Sequence, residues 1–291
     1  MISGYPLRSL AISAFCTLIL PLGLVGQEPN WKKDPRQLVR VAAVNENKTS
    51  AKKMYFMYRD VKLDKNGERE TREMVQTPQL SLARIIAING HPLSPDQKAK
   101  EDARLNRLVS NPDELSKKVR AQKQDDQRAR KMVQAIPDAF TFTYVETEKT
   151  DNGELVVLKF SPDPNWDPPD RELQVFTGMQ GTLKIAVPQN RIALMDAKLF
   201  KGVDFGWGIF GHLNPGGSFL IQQQEVAPGY WDTTHMQLHF TGKILLVKSL
   251  DIQEDEQTSD YQPIEGMSVA QALDKLRNSS DEYAKTANGG N

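Results

Sequence analysis

The chain has 291 residues, enough for one large domain or two small ones. Lysine plus arginine and aspartate plus glutamate stand at 37 each, so the formal net charge is zero, which argues against the basic surface that nucleic acid requires. A 39% hydrophobic share supports a real core, and the single cysteine, Cys16, lies in an apolar N-terminal run, so the segment beyond it offers no disulfide, thiolate nucleophile or cysteine-bound zinc.

That run reads as a cleaved signal peptide over residues 1–26. Arg8 supplies the positive start, Ser9 to Leu20 the apolar stretch, Pro21 a break and Gly26 a small residue at the cut. The alternative is a retained anchor, which needs about 20 apolar residues, more than this run has. The expected setting is the periplasm or the exterior, with no transmembrane segment in the mature chain. Residues 27–262 are expected to form one domain with a helical insertion at about 94–135, and residues 263–291 a C-terminal helix and flexible tail.

Asp34, Pro35 and Gln37 have a helix-start pattern, and Leu38, Val41 and Ala42 follow at helical spacing, so a short N-terminal helix is expected. Met54–Leu63 and Glu68–Thr77 alternate like strands around the tight turn Asp64-Lys65-Asn66-Gly67. Leu82–Ile88 reads as a third strand. Ser94-Pro95-Asp96-Gln97 and Asn111-Pro112-Asp113-Glu114 each cap a helix, the second running to about Ala135. Its Lys117–Lys131 stretch, dense in both charge signs, fits a solvated face or a surface for a protein partner.

From Pro137 the period returns to two, with Phe140, Phe142 and Tyr144 on one side and a turn at Asp151-Asn152-Gly153. Further strands are expected near 181–187, 191–200, 203–213, 218–226, 230–241 and 243–253, joined by short Pro/Gly/Asn turns, hence antiparallel. The fold class is therefore α+β: an antiparallel sheet of about eleven strands with an inserted helical pair. Ser268 precedes Val269, Leu273 and Leu276, the start of a short C-terminal helix.

Motifs of chemistry fare poorly in these contexts. Gly206-Trp207-Gly208-Ile209-Phe210-Gly211 matches G-x-G-x-x-G, but Asn214-Pro215-Gly216-Gly217 leaves no room for the helix that a dinucleotide needs. His235 and His239 lie four apart on a strand, about 13 Å, too far for one metal. Asp163, Asn165 and Asp167 begin like a calcium loop, but Pro168 and Gln174 occupy the positions of its glycine and glutamate. No catalytic residue, metal ligand or cofactor is assigned. A pair of carboxylates that meets only in space stays open.

The order of elements, with the segments Asp64-Lys65-Asn66-Gly67, Gly90-His91-Pro92-Leu93-Ser94-Pro95, Phe160-Ser161-Pro162, Gly181-Thr182-Leu183-Lys184-Ile185 and Gly229-Tyr230-Trp231, resembles an uncharacterised bacterial branch of the LolA/RseB-like lipoprotein-sorting and carrier superfamily. The resemblance covers about residues 34–255 and is one of layout. It implies that the sheet is curved, an incomplete β-barrel, with helices across the open side of this half-barrel, and a hydrophobic cavity for lipid or acyl chains, or the sensing of envelope lipoproteins. Phe142, Leu183, Phe200, Phe205, Trp207, Phe210, Phe219 and Trp231 fall on strands of one expected sheet. They form either its ordinary core or the wall of a cavity for an apolar ligand. The expected partner is thus a hydrophobic ligand, or an envelope lipoprotein or other protein. The competing expectation is a filled core in a structural or interaction module.

Overall fold

Period-two burial builds most of the molecule. In the computed structural model, which describes residues 30–47, 54–206, 211–244 and 248–288, thirteen strands and four α-helices alternate along the chain. Helix α1 (Pro35–Asn47) precedes β1 (Tyr55–Leu63), β2 (Arg69–Gln76), β3 (Ser81–Ile88) and the two-residue β4 (His91–Pro92). Helices α2 (Pro95–Ser110) and α3 (Pro112–Ala139) follow. Then come β5 (Phe140–Thr150), β6 (Gly153–Pro162), a 3-10 turn (Glu172–Gly178), β7 (Met179–Ala186) and β8 (Arg191–Leu199). Next are β9 (Val203–Phe205), β10 (Gly211–Leu213), β11 (Ser218–Ala227), β12 (Tyr230–Ile244) and β13 (Lys248–Ile264), and α4 (Val269–Asn288) ends the chain.

The sheet runs β4-β3-β2-β1-β13-β12-β11-β8-β7-β6-β5, entirely antiparallel, and does not close into a barrel. The short antiparallel pair β9–β10 branches from β12. Both helix starts in the inserted pair follow their caps. The Ser94 hydroxyl accepts from Gln97 N while the Gln97 side chain accepts from Ser94 N, and Asn111 Oδ1 accepts from Asp113 N and Glu114 N.

Helix α3 explains the curvature. The backbone N–H of Ser81, at the start of β3, donates to the Gln122 side chain at 3.0 Å, and the helix hands directly into β5 at Phe140. From Gln122 to Ala139 is about 26 Å at 1.5 Å per residue. Nine strand steps separate β3 from β5 along the sheet, about 43 Å at roughly 4.8 Å each. A flat sheet cannot place both strands on one helix of that reach. The sheet must curl to about half a circle, and α3 lies across the opening as its chord. Its ends hold to apolar groups on both sides: Leu115 and Val119 at one end, Met132, Ala135 and Ile136 at the other.

The two faces carry different cores. On the inner face, β5–β8 pack Phe140, Leu158, Phe160, Leu183, Ile185 and Met195 under α1, the C-terminal turns of α3 and the Glu172–Gly178 turn. On the outer face, Met57, Val75 and Leu82 of β1–β3 pack against Leu108 of α2 and Val269, Ala272 and Leu276 of α4.

Several boundaries differ from the sequence expectation. α3 continues through Pro137 to Ala139, because Ile136, Pro137 and Ala139 are buried and packing outweighs the local cost of proline. Val203–Phe205 and Gly211–Leu213 are two strands paired antiparallel with each other, instead of one strand over 203–213. β12 does not break at Gly242: the residue lies in the strand, so close to β10 that a Cβ would overlap the His212 carbonyl oxygen. β13 runs on to Ile264 because β1 pairs with it, and α4 spans 20 residues where a short helix was expected. The signal-peptide segment, Cys16 and the last three residues of the tail lie outside the described residues.

Candidate functional site

The middle of the inner face is where the helices stop. Along β11, β12 and β13 the inward residues are Phe219 and Ile221, then Met236, Leu238 and Phe240, then Ile252. Register sets Phe219 opposite Leu238, Ile221 opposite Met236, and Phe240 opposite Ile252. All six are half-buried. Phe219 and Phe240 touch the filled core under α1, so the strip continues that core into open space.

One strand further the face becomes charged. Leu238 lies opposite Glu254, and Met236 opposite Glu256. Lys62 Nζ of β1 stands 2.9 Å from Glu256 and 3.5 Å from Glu254. Arg72 Nη2 of β2 is 3.2 Å from Glu256 Oε1 and also pairs with Asp60. Burial raises the Asp60 carboxyl above its ordinary range despite Arg72. Glu256 goes the other way: burial opposes ionisation, but Lys62 and Arg72 together hold it low. The trough thus has an apolar wall and an ion-paired wall.

A separate groove lies beside α3. One hollow of about 560 Å³ lies between Asp126 and Arg130 of α3, Glu46 of α1, Arg191 of β8, and Trp231 and Asp232 of β12. A second, of about 530 Å³, shares Gln76, Asp126, Arg130 and Tyr230 with it. Glu46 ties α1 to the sheet, its Oε2 lying 3.2 Å from Arg191 Nη2 and its Oε1 accepting from Ile192 N at 2.9 Å. Burial holds the Glu46 carboxyl above its ordinary value, with Arg191 pulling it down. Asp232 is also raised by burial. Tyr230, which lines both hollows, continues into an aromatic cluster: Phe56 lies 4.5 Å from Tyr230 and 5.9 Å from Tyr261, and Tyr58 stacks on Tyr261 at 4.8 Å. Burial, and then the Asp232 charge, push the Tyr58, Tyr230 and Tyr261 hydroxyls up, so these remain neutral donors.

The sequence-selected residues are spread over this face. Leu183 is fully buried in the filled half, and Phe142 packs partly exposed against it. Phe205 and Phe219 also pack against that core, Phe219 as the first residue of the open strip. Trp231 lines the larger hollow under α3. Phe200 follows β8 and is 46% exposed, with Lys201 Nζ 5.8 Å above its ring. Trp207 and Phe210 lie outside the described residues. The described residues on either side of the motif belong to β9 and β10, which pair antiparallel. His235 and Gln237 sit on the outer face, both bonded to Asp255, at 3.0 and 2.8 Å. Asp163, first of the calcium-like residues, pairs with Arg36 at 2.9 Å.

The ion-paired wall and the groove escape sequence reading because their members come from five or more strands. Gln253 to Gln257 is polar on both faces, so its alternation carries no inward signal.

No family model and no curated protein matches the chain. Among solved structures, a domain from Vibrio parahaemolyticus described as an outer membrane lipoprotein-sorting protein domain is similar at 10% identity and a TM-score of 0.33, over 81% of this chain and 96% of that one. A DUF1329 family protein from Desulfovibrio piger is similar at 12% identity and a TM-score of 0.29, over 82% of this chain and 99% of that one. At TM-scores this low neither likeness carries an argument about family, ligand or role.

Proposed function

We propose that the protein is an exported, non-catalytic binding protein of the bacterial envelope that takes the acyl part of a lipid or lipoprotein onto the inner face of its sheet. The observation that supports this is the strip Phe219, Ile221, Met236, Leu238, Phe240 and Ile252, half-buried and continuous with the core, on the part of the face between the helix-covered strands. Each methylene laid against it is worth about 0.8 kcal/mol, so about ten methylenes give roughly 8 kcal/mol before the cost of association. The neighbouring ladder of Lys62, Arg72, Glu254 and Glu256 holds the polar end, and binding needs no reacting group.

Native mass spectrometry of residues 27–291, purified from a bacterial envelope fraction without detergent, tests the reading. A bound mass that extracts into organic solvent as lipid is the expected result. Uptake of a fluorescent fatty acid should weaken at least tenfold in Leu238→Asp, a half-exposed position whose substitution leaves the far-UV spectrum intact. A bare polypeptide that takes up no fatty acid would sink the proposal. It would favour the interaction module, whose supporting observation is the side-chain-filled inner face at β5–β8.

A further inference from the structure

One carboxylate in the groove beside α3 has aromatic neighbours and no ion pair among the described residues. Asp232 lines the hollow of about 560 Å³ together with Tyr230 and Trp231. Its hydrogen bonds come from neutral donors: Thr233 N donates to Oδ1 at 2.8 Å, and the Tyr261 hydroxyl donates to the carboxylate. The cation whose charge reaches it is Arg191, and that arginine is committed elsewhere. Arg191 Nη2 lies 3.2 Å from Glu46 Oε2, Nη1 donates to the Asn45 carbonyl at 2.8 Å, and the buried Nε makes no hydrogen bond among the described residues. Asp126 and Arg130, the other charged groups that line the hollow, stand one turn apart on α3 and balance each other. Three carboxylates thus face two guanidiniums, and Asp232 is the one left over.

The surroundings select the kind of cation that would answer it. Tyr58, Tyr230 and Tyr261 all lie within reach of the Asp232 charge, and Trp231 precedes it in β12. Tyr58 stacks on Tyr261, and Phe56 packs against Tyr230, so these rings are held in place. An aromatic ring attracts a cation within about 6 Å of its centre, most strongly where water is displaced. A divalent metal would instead need about six oxygen ligands. Among the described residues no three His, Cys, Asp or Glu side chains converge in a way that could hold one. An alkylammonium requires one carboxylate and a set of rings, which is what stands here. The hollow, about 560 Å³, falls within the range of roughly 300–1,000 Å³ typical of small-molecule sites.

We propose that the hollow binds an alkylammonium group, with Asp232 as its counter-charge and Tyr230 and Trp231 as its aromatic walls. Such a cation balances the third carboxylate and leaves the Arg191–Glu46 pair in place. A free quaternary ammonium and the headgroup of a choline phospholipid present the same chemistry, and the test separates them.

Residues 27–291 would be titrated calorimetrically with choline and with its neutral isostere, in which a tert-butyl group replaces the trimethylammonium. The same protein would be sedimented with vesicles of phosphatidylcholine and, separately, phosphatidylglycerol. Saturable choline binding is expected, with the isostere weaker by about tenfold or more. Asp232→Asn keeps the shape and removes the charge, so it should weaken choline binding by about tenfold or more and leave the isostere unchanged. Trp231→Leu should weaken both, which separates the aromatic wall from the counter-charge. Choline binding without vesicle binding identifies the free cation. Phosphatidylcholine binding that Asp232→Asn loses identifies the headgroup. No saturable binding of choline or of phosphatidylcholine, or binding unchanged in Asp232→Asn, overturns the proposal. Leu238→Asp strikes the acyl strip and should leave choline binding intact, so the two proposals fail independently.

Discussion

Asp232 and Glu46 face the groove as carboxyls that burial holds above their ordinary pKa. In the unfolded chain both titrate near pH 4. Between that value and the raised folded value the folded state binds more protons, so this contribution to stability is full below about pH 4 and is lost as pH rises through the folded pKa. Near neutrality both carboxylates therefore cost stability, retained where the groove needs charge. Asp232→Asn is expected to raise the melting temperature at pH 7 and to lose that gain by about pH 4, in parallel thermal melts. At this scale the sequence reveals some residues and hides others for a physical reason. Alternation is enough to put Phe142 and Leu183 on a common core-facing side. Arg84 carries a usable sign too, a charge amid Leu82, Ile85 and Ile86, but its ion-pair partner Asp102 comes from α2, a separate element of the chain.

Among elements, β3 and the inserted helices are coupled through the strand edge. Glu101 accepts from Ile85 N, Arg104 donates to the Ala83 carbonyl at 2.7 Å, and Gln122 accepts from Ser81 N. Helix side chains thus stand where a further strand would bond. Glu101→Ala leaves a backbone N–H and an arginine without their partner, at a cost of about 2 kcal/mol by urea denaturation. Freed edge groups should also make sedimentation concentration-dependent, a readout that simple destabilisation of the core would not produce at low temperature. The capped helices, the Asp64–Gly67 turn and the β5–β8 strands were legible because capping, turn chemistry and alternation are local. The polar reach of β13 to Ile264 was not, because its order comes from β1, far away in the chain.

For the molecule as a whole, the inner and outer cores share one continuous sheet and one helix, α3, that is rooted in both. They should unfold together. The tryptophans described, Trp31, Trp166 and Trp231, all lie on the α1 core or in the groove, so their fluorescence reports that side alone. Far-UV circular dichroism reports every element. Coincident urea transitions by the two probes are expected, and a split of the curves would show that the α4 core unfolds separately. The curl of the sheet could not be read from the order of elements by itself. It follows from the length of α3 between Ser81 and Phe140 against the number of strands that it spans.

The side chains along β3 also set how copies of this protein can multiply. Two usable edges per molecule permit an endless row, each copy passing its pairing on to the next. With the β3 edge occupied by Glu101, Arg104 and Gln122, a copy that joins another through β5 cannot pass the pairing on through β3. Strand-by-strand growth along the β5–β3 axis of the sheet therefore ends at a pair.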